Sequence, residues 1–238
     1  CDALIQVIDV AGTTDIEGNP TGLKVTKEEA IQQALAEVEF LTNELDAWIL
    51  GLVKDGWSRG ARRIQAEGVK GFTQFLQERL SGLGATDIMC QRSFDMFAQK
   101  HSDMTSPWDW SDDVLILLAS SLRENLFPIF VAGNKADLAP EGVVEHLNAM
   151  LPSFTPCSAE TELALRQAGK AGFITYKLGD SFFELNKDQS MSEAQQKGLD
   201  VLAERLHRMQ GTGILKLLDQ VLFDELERIV VYPVQDEA

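Results

Sequence analysis

The 238-residue chain has only three cysteines and three histidines. Cys1, Cys90 and Cys157 lie far apart, are odd in number and have no metal-ligand spacing, so neither a disulfide framework nor a zinc site is encoded. They read as reduced thiols of a cytoplasmic protein. His101, His146 and His207 are equally scattered, and no metal ligands are assigned. Basic residues are scarce too. Lys and Arg number 21 against 37 Asp and Glu, a net charge of -16. That balance repels phosphate backbones and disfavours direct nucleic-acid binding by this acidic segment. The local basic cluster Arg59, Arg62 and Arg63 reads as a solvated helix face. No apolar run has the length that spans a bilayer and no secretory signal is visible, so no membrane partner is expected. The chain also lacks an initiator Met and opens almost directly on a strand, which reads as a truncation. Internal repeats and low-complexity tracts are absent.

What is present is an ordinary globular composition, 45% hydrophobic and 24% charged, in a chain long enough to bury a substantial core. One stretch organises it: Phe127-Pro128-Ile129-Phe130-Val131-Ala132-Gly133-Asn134-Lys135-Ala136-Asp137-Leu138. A short apolar run stopped by a polar turn fits a parallel strand covered on both faces, and ligands of such sheets bind beyond the carboxyl ends of the strands. Asn134, Lys135 and Asp137 stand at that end. Guanine offers two adjacent donors, its ring N–H and its exocyclic amine, and a fixed carboxylate at Asp137 can accept from both. The stem of Lys135 can lie over the base while its ammonium reaches a neighbouring loop. Asn134 can tie adjacent loops together. The plainer account is a polar turn capping the next helix.

A second motif follows. After a helical segment from Pro140 to Met150, Ser153-Phe154-Thr155-Pro156-Cys157 forms a short strand leading into Ser158-Ala159-Glu160. In guanine-nucleotide-binding proteins the next strand ends in such a turn, where a backbone N–H meets the guanine keto oxygen. Alone, Ser158-Ala159-Glu160 reads as a helix N-cap with an acid in the first turn. Both readings can hold together.

Elsewhere the pattern alternates between strand and helix, an α/β protein. Ala3 to Asp9 reads as a strand, followed by a loop from Thr13 to Gly22. Asp9-Val10-Ala11-Gly12 has the form D-x-x-G, the loop that senses the terminal phosphate and magnesium in GTPases. No further buried strand separates it from Asn134, however, so this strand is assigned to the position after that motif. Thr26 and Glu29 propose a capping box for a long amphipathic helix ending near Gly56. Helices follow over about 58–80, 86–100 and from Asp112, with Trp48 and Trp57 as core anchors. Beyond Glu160, helices are expected to Gly169, over 192–209 and over 212–229, and Val230 to Val234 reads as a strand without partners.

The ordered set Asp15-x-x-Gly18-Asn19-Pro20, Glu39-Phe40-Leu41, Glu44-Leu45-Asp46-Ala47-Trp48, Asn134-Lys135-Ala136-Asp137, Ser158-Ala159-Glu160, Gly211-Thr212-Gly213 and Val231-Tyr232-Pro233-Val234 resembles the archaeal and eukaryotic branch of the YchF-type GTPases, within the Obg-related group. The resemblance implies the C-terminal part of a Ras-like P-loop GTPase domain over 1–176, with a large helical insertion at about 26–110. It further implies a helical extension over 177–229 and the start of a truncated TGS domain at 230–238. GTP or GDP would be the ligand, bound through Asn134, Lys135, Asp137, Ser158, Ala159 and Glu160. Ribosomes or translation factors would be partners.

The departures from that family pattern are specific. No G-x-x-x-x-G-K-[ST] occurs, and Gly169-Lys170-Ala171 lacks both the hydroxyl and the preceding glycine loop. Without that cradle the phosphates and Mg2+ lose most of their ligands. The catalytic residues and the Mg2+ contacts are therefore expected outside this segment, which would supply guanine recognition and hydrolyse little GTP alone. A nucleotide-independent helical module that binds protein partners is the competing account.

Overall fold

The computed structural model describes residues 2–15, 17–20, 25–103 and 106–231. Cys1, part of the loop up to Gly22 and Tyr232-Pro233-Val234 lie outside the described residues. The chain divides into two compact units, one made of residues up to Leu4 with Glu37–Ile129, the other of Ile5–Ala36 with the chain from Phe130 onward.

The first unit is helical. It takes most of α1 (Lys27–Lys54), then α2 (Trp57–Glu67), α3 (Val69–Leu80), α4 (Asp87–Lys100) and α5 (Asp112–Leu126). Its core joins Ile49, Val53, Phe72, Leu76, Leu80, Leu118 and Leu122, all fully buried. Trp57 and Trp110 stack with ring centroids 5.9 Å apart, and Phe72 meets Trp110 edge-on. Arg123 Nε donates to Asp46 Oδ1 at 2.7 Å, tying α5 to α1 with both groups mostly out of water.

The capping box of α1 forms as the sequence proposes: the Thr26 N–H donates to Glu29 Oε2 and the Glu29 N–H donates to Thr26 Oγ1. Two expectations for this region need correction. The helix expected over 58–80 is two helices, because Gly68 takes φ 65 and ψ -148, a conformation outside the helix that glycine adopts readily. Trp48 is no core anchor but 49% exposed. Ile49 and Val53 hold the buried face of α1, and position 48 lies about 100° around the helix from 49.

The second unit holds the sheet. β1 (Leu4–Asp9), β2 (Ile129–Asn134) and β3 (Phe154–Pro156) lie in the order β1-β2-β3, with β2 and β3 parallel and Gly133 opposite Pro156. This is a mixed α/β fold with a parallel pair, as the alternation of patterns predicts. α6 (Val143–Met150) follows β2 after a loop, and α7 (Ala159–Lys170) starts just past the carboxyl end of β3. Phe130, Val131, Ala132 and Phe154 are buried, which explains the apolar run of β2 and the single aromatic side chain of β3.

Beyond α7 a short antiparallel pair, β4 (Ile174–Thr175) and β5 (Glu184–Leu185), precedes α8 (Glu193–Met209) and α9 (Ile214–Asp219). Leu165, Ile174, Leu199 and Leu206 form one buried cluster that packs α8 on α7. Ser192 and Gln195 close a capping box at the start of α8. The helix expected over 212–229 is shorter. α9 gives way at Gln220–Glu225 to a π-helical turn, and Glu227 at φ 48 has left helical geometry. Val230 and Val231 lie in no strand.

Candidate functional site

The two motifs singled out in the sequence meet at the carboxyl ends of β2 and β3. The parallel register carries on past the strands: the Cys157 N–H donates to the Gly133 carbonyl at 2.8 Å and the Ala136 N–H donates to the Cys157 carbonyl at 3.0 Å. A side chain completes the link. Asn134 Oδ1 accepts from the Ala159 N–H at 3.1 Å, so the loop after β2 and the first turn of α7 are held together. Ser158 caps α7 and is fully buried, its Oγ accepting from the Thr161 N–H and donating to Thr161 Oγ1. Ala159 and Glu160 are exposed in the first turn of α7.

Lys135 has φ 61, a left-handed conformation uncommon for a lysine. The turn that requires it sends the side chain across the strand ends. Its ammonium donates to Asp9 Oδ2 at 2.8 Å and to Thr13 Oγ1 at 2.6 Å, reaching the loop after β1. Asp9 is the hub of that loop. It also accepts from the Ala11, Thr13 and Thr14 N–H groups and the Thr13 and Thr14 hydroxyls. Burial alone would raise this carboxyl, but the hydrogen bonds from Lys135, Thr13, Thr14 and Ala11 together outweigh it and bring it down to about 2. The sequence presented Asp9 only as a doubtful member of a D-x-x-G motif. Its service to Lys135 leaves no local signal, since the partners are 126 positions apart.

Asp137 closes the same loop. Its carboxylate is 2% exposed, with Oδ2 2.9 Å from Arg205 Nη1, and its backbone carbonyl accepts from Arg208 Nη2 at 2.5 Å. Both arginines come from the last turns of α8. Oδ2 lies within ion-pair distance of Arg205, but among the described residues no donor is aligned to hydrogen-bond it. An open cleft of about 510 Å³ adjoins on the α6 side, lined by Asp137, Pro140, Glu141, Glu145, Arg208 and others. Of the six expected site residues it includes Asp137 alone.

The turn between α8 and α9 supports the second motif from behind. The Thr212 carbonyl accepts from the Ser158 N–H at 2.9 Å. Glu162, itself buried, accepts from Thr212 Oγ1 at 2.7 Å and Tyr176 Oη at 2.9 Å and pairs with Arg166 at 2.6 Å. Burial first, then the hydrogen bond to Glu162, pushes the Tyr176 phenol up to about 12. Gly169 and Lys170 end α7 and form no phosphate loop. Among the described residues no group of three His, Cys, Asp or Glu side chains is placed to hold a metal ion, and no helix is long and apolar enough to cross a membrane.

The arrangement gathers a buried carboxylate, an amide and the first turn of a helix at the carboxyl ends of two parallel strands. Comparison with known proteins agrees in kind. Residues 132–236 match the family described as Obg-like GTPase YGR210-like, G4 motif-containing domain. The chain is 36% identical over 240 residues to the uncharacterized GTP-binding protein MJ1332 of Methanocaldococcus jannaschii, and 30% identical over 225 residues to the uncharacterized GTP-binding protein C428.15 of Schizosaccharomyces pombe. It spans 56% and 50% of the lengths of those relatives, which in turn match 99% and 93% of it. A crystal structure of a GTP-binding protein from Pyrococcus horikoshii OT3 superposes with a TM-score of 0.73 at 32% identity, covering the whole chain and 61% of that protein. The similarity is thus to GTP-binding proteins of the Obg-like kind.

Proposed function

We infer that this chain belongs to the Obg-like GTPases and forms the base-recognition part of a guanine-nucleotide site. The observation that carries the reading is the junction of the two motifs, with Asn134 Oδ1 on the Ala159 N–H and the loop and turn stitched together by backbone hydrogen bonds. Asp137 would accept from the guanine ring N–H and amine, as no adenine edge allows. The Lys135 stem would cover one face of the base, its ammonium already fixed on Asp9 and Thr13. Ser158, Ala159 and Glu160 would bring the first turn of α7 to the keto oxygen, where the positive end of the helix favours it, the Ser158 and Ala159 N–H groups being held in this structure by Thr212 and Asn134.

Hydrolysis of GTP to GDP and phosphate belongs to the same reading. The groups that cradle phosphates and Mg2+ are absent from the described residues, so that step would need residues outside them. The link to ribosomes or translation factors is supported by the resemblance to YchF-type proteins alone. So is the division into GTPase, helical and TGS segments.

Calorimetric titration of GDP and ADP into the full-length protein tests the reading. GDP binding without ADP binding is expected. A folded protein that binds neither overturns it and favours the helical interaction module.

A further inference from the structure

The base-recognition reading leaves a physical conflict at Asp137. A carboxylate that is to receive two guanine donors is 2% exposed, and the group beside it is a guanidinium. Guanine itself contains a guanidine fragment, C2 with N1, N3 and the exocyclic N2, so Arg205 offers Asp137 the same kind of planar N–H edge that N1 and N2 of the base would offer. While Arg205 stands against Oδ2, the base cannot take both carboxylate oxygens in a two-pronged pair.

We propose that Arg205 is a tethered stand-in for guanine: it covers the Asp137 carboxylate when the site is empty and is displaced when the base enters. This rests on the guanine-site reading. Three observations favour exchange over permanent pairing. Asp137 Oδ2 is buried yet has no aligned hydrogen bond, although Arg205 Nη1 is 2.9 Å away, so the base can give this oxygen a better-directed donor than the arginine does. The Arg205 side chain is itself 24% exposed and borders water into which it can swing. Arg208, one turn further on, holds the backbone carbonyl of Asp137 and not its side chain, so α8 remains attached to the loop when Arg205 lets go.

The exchange couples base occupancy to the C-terminal turn of α8. That turn leads directly into Gln210 and Gly211, and then to Thr212, whose carbonyl holds the Ser158 N–H. Anything that draws Arg205 away, such as a partner that binds the end of α8, raises guanine-nucleotide affinity, and by linkage the nucleotide strengthens that partner equally.

The test is titration of GDP into the full-length protein and its Arg205→Ala variant, with thermal melts of both. Removing a partly exposed competing ion pair tightens GDP binding by about two- to fivefold. Equal or weaker GDP binding by a variant that melts like the wild type overturns the proposal and makes Arg205 either a bystander or a support of the carboxylate. Should Arg205→Ala fail to fold, Arg205→Gln gives the same reading, keeping the aliphatic stem and a polar end while removing the charge. In the wild type, GDP must also free the Arg205 side chain, read as faster modification of Arg205 by phenylglyoxal, and an unchanged rate at saturation overturns the proposal without any variant. A folded wild-type protein that binds no GDP is a different failure, since it removes the base site itself and the stand-in with it.

Discussion

Asn134 and Ala159, 25 positions apart, are joined by a single 3.1 Å hydrogen bond from the helix N-terminal N–H to the side-chain amide oxygen. With the backbone bonds from Cys157 to Gly133 and from Ala136 to Cys157, it holds two separate sequence motifs together at the carboxyl ends of β2 and β3. Replacing Asn134 by Ala leaves the Ala159 N–H to water and lets the turn before α7 drift from the loop after β2. A neutral hydrogen bond of this kind contributes about 1 kcal/mol. Asn134→Ala is expected to weaken GDP binding by about fivefold while lowering the melting temperature only slightly. Calorimetry with parallel melts separates the two effects.

Asp9 gives a pH signature. Its carboxyl is held at about 2 in the folded chain against an ordinary value of 3.8, so its favourable contribution is complete above about pH 4 and is lost as pH falls through about 2. The difference amounts to about 2 kcal/mol. Asp9→Asn should therefore be less stable than the wild type in denaturant at pH 7, and the gap should shrink below pH 4. A gap that stays constant down to pH 2 contradicts the assignment.

Gly213 sits at φ 77, where a β-carbon would lie 1.9 Å from the Pro156 carbonyl oxygen. Backbone cannot give way as a flexible side chain can. Gly213→Ala should cost roughly 2–4 kcal/mol, combining a left-handed penalty with displacement of the strand end that carries Ser158. Denaturant unfolding measures the first effect, and loss of GDP binding in the folded fraction reports the second.

Cys90 and Cys157 are both buried, and burial is the first cause that pushes each thiol up to about 11. Thiolate is the reactive form, so both should resist alkylation in the native protein at pH 8 and react after unfolding. Peptide mapping after iodoacetamide treatment checks each cysteine separately. Rapid native labelling of Cys157 would mean that the end of β3 opens readily.

The elements that set the site were legible because their signals are local. β2 is a buried apolar run cut by a polar turn, and the Thr26–Glu29 and Ser158 caps are short-range hydrogen-bond patterns. Gly68 was less legible, since glycine within a helical pattern can be tolerated or can break it, and the tertiary fold decides. Trp48 was misplaced because a wide apolar stripe does not say which of its edges reaches water. The partners of the site residues were the least visible. Asp9 reaches Lys135 across 126 positions, and Arg205 and Arg208 reach Asp137 from a helix whose arginines look like any solvated pair. Their roles come from the packing of α8 on α7, through Leu165, Leu199 and Leu206.

The central claim, that Asp137 selects guanine, is tested most directly by exchanging its chemistry and not merely deleting it. Xanthine carries a carbonyl where guanine carries its exocyclic amine, so an amide at position 137 can donate to xanthine where a carboxylate accepts from guanine. GDP and xanthosine diphosphate are titrated into full-length wild-type protein and Asp137→Asn. The account predicts that the wild type prefers GDP and the variant prefers the xanthine nucleotide, each by a factor of about 10 or more, the range expected of a charge-assisted hydrogen bond. A variant that keeps the wild-type preference for GDP would contradict it.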